Sequence, residues 1–188
     1  MIKKLYYCII LVITAPICSG QFLKPLLPAP AFAASLEKIV SSFSNNYYSI
    51  QGNLIRSQAD VDTYETPTAL PGAEKSFIYR FHSTEDTTAS WQGIMYSGES
   101  YKDAAKIYKN LFNLVHKTSL NVYNSTLKFK GEMEKPTEAL RFNESSLKAV
   151  SIHPGYTRFF AEIEMVNLNQ EWVVHLNLHN KKDDKDKY

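Results

Sequence analysis

The chain has 188 residues, 21 basic and 19 acidic, for a formal charge of +2. Setting aside Lys3, Lys4 and Lys24 in an amino-terminal targeting stretch leaves 18 basic against 19 acidic side chains, a near-neutral body with no bulk attraction to nucleic acid. Both cysteines, Cys8 and Cys18, fall in that same stretch, which excludes disulfides, a thiol nucleophile and thiolate metal sites from the remainder.

The first twenty residues place Lys3 and Lys4 before an apolar run from Leu5 to Ala15, the layout of a secretory signal peptide. The run is shorter than the about 20 apolar residues a membrane-spanning helix needs, so no transmembrane segment is expected in the mature chain. Small residues permit cleavage after Gly20 or after Ala33. The proline-rich Gln21–Pro30 stretch favours Ala33, giving a signal peptide over 1–33, one α+β domain over 34–180 and a polar tail over 181–188. A lipid anchor through Cys18 is disfavoured by the bulky Ile17 before it. The expected localisation is secreted or periplasmic, because an exported domain without disulfides suits a bacterial envelope better than a disulfide-stapled scaffold.

Leu36, Ile39, Val40 and Phe43 fall at i, i+3, i+4 and i+7, predicting a first helix with Ser35 as its cap. Asn45 and Asn46 end it, and Tyr47 to Arg56 reads as a strand. Residues 57–74 are polar, with Pro67 and Pro71-Gly72, and read as an irregular connection with one edge strand. A hairpin then joins 75–82 to 90–97 through a threonine-rich acidic loop. The second helix is the clearest element: Tyr101, Ala104, Ala105, Tyr108, Leu111, Phe112 and Val115 form one stripe, and Ser100 with Asp103 begins it.

Beyond that helix, Leu127, Phe129, Gly131 and Met133 alternate on one face of a strand, and Leu147 to Ile152 gives a further short one. The last two strands form a hairpin. With Asn167–Gln170 as a four-residue turn, Met165, Ile163, Ala161 and Phe159 oppose Trp172, Val174, Leu176 and Leu178 on an apolar face. The other face then pairs Glu164 with Val173, Glu162 with His175 and Phe160 with Asn177.

The order helix, strands, tryptophan occurs twice. Phe77, Tyr79 and Phe81 precede Trp91, and Phe159, Ala161 and Ile163 precede Trp172, with spans of 14 and 13 residues that superpose with one gap. The expected fold is α+β: two tandem α-β-β-β repeats, 34–98 and 99–180, forming a mostly antiparallel sheet with both helices on one face.

Such a layout carries no chemistry by itself. His175 and His179 resemble a ligand pair, but on a strand they lie about 13 Å apart, so no metal is expected. Glu162 facing His175 beside Glu164 is the most enzyme-like group, yet no nucleophile shares its register and it reads as a cross-strand ion pair. The sequence has no GxSxG, HExxH, GxGxxG or phosphate-cradling loop, and neither an enzyme nor a cofactor is expected. Phe160 among polar neighbours, with Tyr96 and Ile94 as counterparts in the first half, points instead to a contact surface. The expectation is a non-catalytic protein-interaction module whose face of Phe160, Glu162, His175 and Asn177 meets another envelope or secreted protein, unless 57–74 or 134–146 covers that face. The alternative is a carrier of an apolar small molecule or lipid in a cleft lined by Trp91, Tyr101, Tyr108, Phe112 and Trp172. Against it, those five side chains can simply close the core.

Overall fold

Pro30, whose fixed φ suits a first helical turn, opens α1 (Pro30–Ser42), and Phe32, Leu36, Ile39 and Val40 recur at helical spacing as its buried stripe. The computed structural model describes residues 29–82 and 88–180; most of the expected signal segment and all of the 181–188 tail fall outside that range. The helix thus begins ahead of Ala34, and Phe32 is only 4 % exposed. Among the described residues no helix is long and apolar enough to cross a membrane.

After α1 the chain tightens into a 3-10 turn, and Asn46 and Tyr47 both take left-handed backbone, with φ of 56° and 62°. This reversal buries Tyr47, whose hydroxyl donates to the Leu178 carbonyl at 2.8 Å. The strand expected over Tyr47–Arg56 is therefore replaced by a second 3-10 turn (Tyr48–Ile50) and the short β1 (Leu54–Ser57). A buried tertiary hydrogen bond has overridden local β-propensity.

β2 (Val61–Glu65) arises inside the expected connection and is an inner strand, with β1 as the edge. β3 (Lys75–Phe81) and β4 (Ala89–Gly98) form the expected hairpin. The Oγ of Ser100 accepts the Asp103 N–H at 3.2 Å and starts α2 (Tyr101–Lys117), which buries Ala104, Ala105, Tyr108, Leu111, Phe112 and Val115 as the stripe requires. Then follow β5 (Ser119–Val122), β6 (Ser125–Lys130), β7 (Phe142–Val150), β8 (Phe159–Leu168) and β9 (Glu171–Asn180). Among the described residues these nine strands form one antiparallel sheet in the order β1-β2-β3-β4-β9-β8-β7-β6-β5. The fold is α+β.

β7 starts five residues before the expected Leu147 because Asn143 and Ser145, polar in sequence, are buried. Ser145 Oγ accepts the Glu134 N–H and shares a 2.6 Å hydrogen bond with the Tyr108 hydroxyl, satisfying what would otherwise be costly.

The two halves do not match strand for strand: four strands follow α1 and five follow α2, against three each in the expected repeat. α1 packs on β5, in the other half, while α2 packs on β8, β6, β9 and β4. Nor do the aligned aromatic residues share a face. Ile78 stands opposite Trp91, so Phe77, Tyr79 and Phe81 project to the opposite side, whereas Phe159 is fully buried. A one-residue offset exchanges the faces of a strand, and sequence spacing with one gap cannot detect it.

In the final hairpin the faces are as expected but the register is displaced by two. Asn169 and Gln170 alone form the turn, both left-handed at φ 52° and 75°, as two-residue hairpin loops of the right twist demand. Met165 therefore faces Val174, Ile163 faces Leu176 and Ala161 faces Leu178.

Both helices pack on the face carrying Trp91, Leu127, Leu147, Ile163, Val174 and Leu176, all within one core. At the far edge the Glu37 carboxylate accepts the Asn121 N–H at 2.7 Å, capping a strand edge that would otherwise invite pairing. The linkers also lie on the covered side. Leu70 is buried and the Thr68 carbonyl accepts the Trp91 indole N–H at 3.2 Å, while the Pro136 carbonyl accepts the Tyr101 hydroxyl at 2.9 Å.

Candidate functional site

Among the described residues no helix packs on the opposite face of the sheet, and its strand pairings set out side chains in rows. One row runs Phe142, Val166, Val173. The next, two residues along each strand, runs Glu144, Glu164, His175, Ile94, and the third runs Ser146, Glu162, Asn177, Gln92, Phe77. The fourth holds Lys148, Phe160 and His179. Every one of these positions follows from the period of two along a strand.

The four residues expected to form the surface, Phe160, Glu162, His175 and Asn177, lie on this face. Their partners differ, because the hairpin register differs. His175 stands opposite Glu164, not Glu162; Glu162 stands opposite Asn177; and Phe160 stands between Lys148 and His179. Of the two first-half counterparts, Ile94 opposes His175 on the open face. Tyr96 does not share it: a bulge between Ile94 and Tyr96 turns its ring toward the core, as an extra residue in one strand does.

Sequence reasoning missed the contribution of β3, β4 and β7, since nothing in the sequence places β4 beside β9. The Tyr79 hydroxyl donates to Gln92 Oε1 at 3.1 Å, and Gln92 Nε2 donates to Asn177 Oδ1 at 2.8 Å. Burial pushes the Tyr79 phenol above its ordinary value, keeping it a donor. Together these side chains shape a trough of about 430 Å3. Ser90, Gln92 and Asn177 form its floor, Tyr79 and Phe81 one wall, and Glu162 and Glu164 the other.

Beside the trough, Glu144 brings a third carboxylate next to the two of the acidic wall. Oxygen atoms of Glu144, Glu162 and Glu164 all lie within 4.8 Å of one another. Glu162 is only 8 % exposed; its Oε2 is 2.7 Å from His179 Nε2, and its Oε1 accepts the Ser146 hydroxyl at 3.4 Å. His179 Nδ1 lies 3.2 Å from the Asn180 carbonyl. His175 Nδ1 is 3.6 Å from Glu164 Oε2. That nitrogen is shielded from water and makes no hydrogen bond among the described residues.

Chemically, the group does not assemble a nucleophile. Ser146 reaches the carboxylate rather than the imidazole, the reverse of a serine–histidine–acid relay. The three carboxylates are hard oxygen donors of the kind that would hold a divalent cation, though they approach from one side only. The residues expected to line an apolar cleft are packed instead. Trp91 and Tyr108 are fully buried, Phe112 and Trp172 are 6 % exposed, and the Tyr101 ring meets Trp172 edge-on at 5.3 Å. Burial pushes the Tyr108 phenol up to about 12.

Compared with protein-family models, with curated proteins and with solved structures, the chain matches none.

Proposed function

We propose that this chain is an exported, non-catalytic protein-interaction module of the periplasm or cell exterior, and that the open sheet face is where its partner binds. The observation that carries the reading is the trough: a built concavity of aromatic, amide and acidic side chains on a sheet face that neither helix covers. Interaction surfaces combine aromatic residues with hydrogen-bonding groups in this way. Phe160 and His175 sit beside the trough and in the acidic row, within reach of anything seated there.

The carrier of an apolar small molecule has less support, because Trp91, Tyr108, Phe112 and Trp172 contribute to packing rather than to an opening. A photocrosslinking amino acid placed at Phe160, at His175 and, as a control, at Lys109 on the outward side of α2 tests the proposal in native envelope fractions. Protein adducts at the first two positions and none at Lys109 are expected. Adducts that are equal at all three, or absent from the sheet face, would overturn it.

A further inference from the structure

We infer that the open face joins two copies of this chain across a two-fold axis, with the acidic end of β7 in one copy against the basic end of β7 in the other. The inference rests on reading the open face as an interaction surface, and it names the partner as a second copy.

The order of side chains on β7 is the first argument. Its open-face positions, two residues apart, run Phe142, Glu144, Ser146, Lys148, Val150: apolar, acidic, hydroxyl, basic, apolar. Turned end for end, that series is its own complement. Phe142 then meets Val150, Glu144 meets Lys148, and Ser146 meets its own copy. Phe142 and Val150 are 51 % and 46 % exposed, and Leu140 and Ile152, just beyond them along the chain, are exposed as well. Each end of the strand thus offers an apolar contact outside the charged one.

The neighbouring strands carry the same division. At the acidic end Glu164 stands opposite Glu144, and Glu134 Oε2 accepts the Glu144 N–H at 3.2 Å. At the basic end Lys130 stands opposite Lys148 and Lys128 opposite Val150. Carboxylates and ammonium groups therefore lie on opposite sides of the Ser146 row. Lys148 Nζ is 5.9 Å from the Phe160 ring, within the range of a cation-π contact, which holds this ammonium over the face. Glu162, in the Ser146 row, is 8 % exposed and 2.7 Å from His179. It sits within the sheet surface, its charge met inside one copy.

Symmetry selects the arrangement. Two copies of one face meet only about an axis lying between them, parallel to the sheets. An axis along the strands sets Glu144 against Glu144 and Lys148 against Lys148, a like-charge juxtaposition that disfavours contact. An axis across the strands, along the Ser146 row, sets acidic rows on basic ones twice over, as an isologous contact requires. The patch covers β6 to β9 and the rows from Phe142 to Val150, about 19 Å by 28 Å at ordinary strand and residue spacings. Both copies together then bury about 1,000 Å2, the lower bound of a specific interface and the size of a reversible one. Pairing through the sheet edges is disfavoured instead, by the bulge in β1 between Leu54 and Arg56 and by the Glu37 carboxylate on β5, both devices that blunt an edge.

The test follows the full exported chain by sedimentation velocity from micromolar to millimolar concentration. A monomer–dimer equilibrium that weakens as salt rises is expected. Glu144→Lys and Lys148→Glu should each weaken it about tenfold or more, as like charges across an interface do. An equimolar mixture of the two variants should associate again, because every pair across the axis then joins opposite charges. A second measurement leaves the charges in place. Face-to-face sheets lie about 10 Å apart, within reach of a short bis-maleimide, so Ser146→Cys on the axis should crosslink to its copy and Lys109→Cys on the outward side of α2 should not. A chain that stays monomeric throughout, association indifferent to the charge reversals, a mixture that fails to associate although both variants are folded, or equal crosslinking at both positions would overturn the inference. Photocrosslinks on the sheet face to a different protein, with the chain itself monomeric, would remove this inference and leave the interaction surface standing; no crosslinks on the face would remove both.

Discussion

On β8, Ala161 and Ile163 are fully buried beneath the helices, while Glu162 and Glu164, their immediate neighbours, form the acidic wall of the trough on the other side. On β9, Val174 and Leu176 alternate in the same way with His175 and Asn177. Two faces of one sheet thus differ in what holds them. The covered face is secured by apolar burial, and the open face by hydrogen bonds between side chains on five neighbouring strands. Substitutions one residue apart should accordingly separate stability from recognition.

The largest effect should come from Trp91→Ala. The indole is fully buried, donates to Thr68 and lies so close over Gly93 that a Cβ there would sit 2.6 Å from the ring. Its loss should cost about 3–5 kcal/mol, the range for deleting a buried large aromatic. On the open face, Phe160→Ala should cost about 1 kcal/mol or less, as substitutions away from the core do. Urea unfolding of both variants measures the difference, and equal losses would mean that the faces are not divided in this way.

The amino-terminal boundary offers a second test, because α1 helps to seal the covered face. A chain beginning at Ala34 lacks Phe32, which is 4 % exposed in the core, and should be about 2 kcal/mol less stable than one beginning at Gln21, the ordinary worth of burying such a side chain. Mass spectrometry of the exported protein should accordingly find Gln21 first. A natural start at Ala34 with no loss of stability would remove Phe32 from the core.

Tyr108 is the polar exception on the covered face, and its hydroxyl meets Ser145 at 2.6 Å. Tyr108→Phe should cost about 1 kcal/mol, the usual net value of one hydrogen bond. The phenol ordinarily ionises at 10.0, and in the fold at about 12. The unfolded chain therefore releases its proton first, so this contribution is complete below pH 10 and declines as pH rises toward 12. The variant should lose stability less steeply across that window in pH-dependent thermal melts; an unchanged slope would mean that the phenol is not held protonated by the fold.

These contrasts also explain what could be read from the sequence. The stripe of α2 and the faces of the final hairpin were legible because periods of 3.6 and 2 are written in Tyr108, Leu111 and Val115, and in Val174, Leu176 and Leu178. Phe160, Glu162, His175 and Asn177 could therefore be assigned to one face. Their partners could not, since Tyr79, Gln92 and Glu144 come from strands whose neighbours are fixed only by the order β4-β9-β8-β7. The repeat is not confirmed at residue level for a related reason: spacing aligns Phe77 with Phe159, but only pairing reveals on which side each projects.

The smallest expected effect tests the register on which the site depends. Asn167–Gln170 could be read as a four-residue turn, but Asn169 and Gln170 alone reverse the chain, and Gln170 sits at φ 75°. A side chain in that conformation costs about 1 kcal/mol, whereas glycine adopts it freely, at some cost in unfolded-state entropy. Gln170→Gly should therefore raise stability by a few tenths of a kcal/mol, because Asn-Gly is the preferred pair for this mirror-image turn. In a four-residue turn the same substitution would gain nothing there, and Glu162 rather than Glu164 would face His175. A small rise in the urea midpoint, with cross-strand amide contacts still joining Glu164 to His175, would fix both the turn and the position of the carboxylates above it.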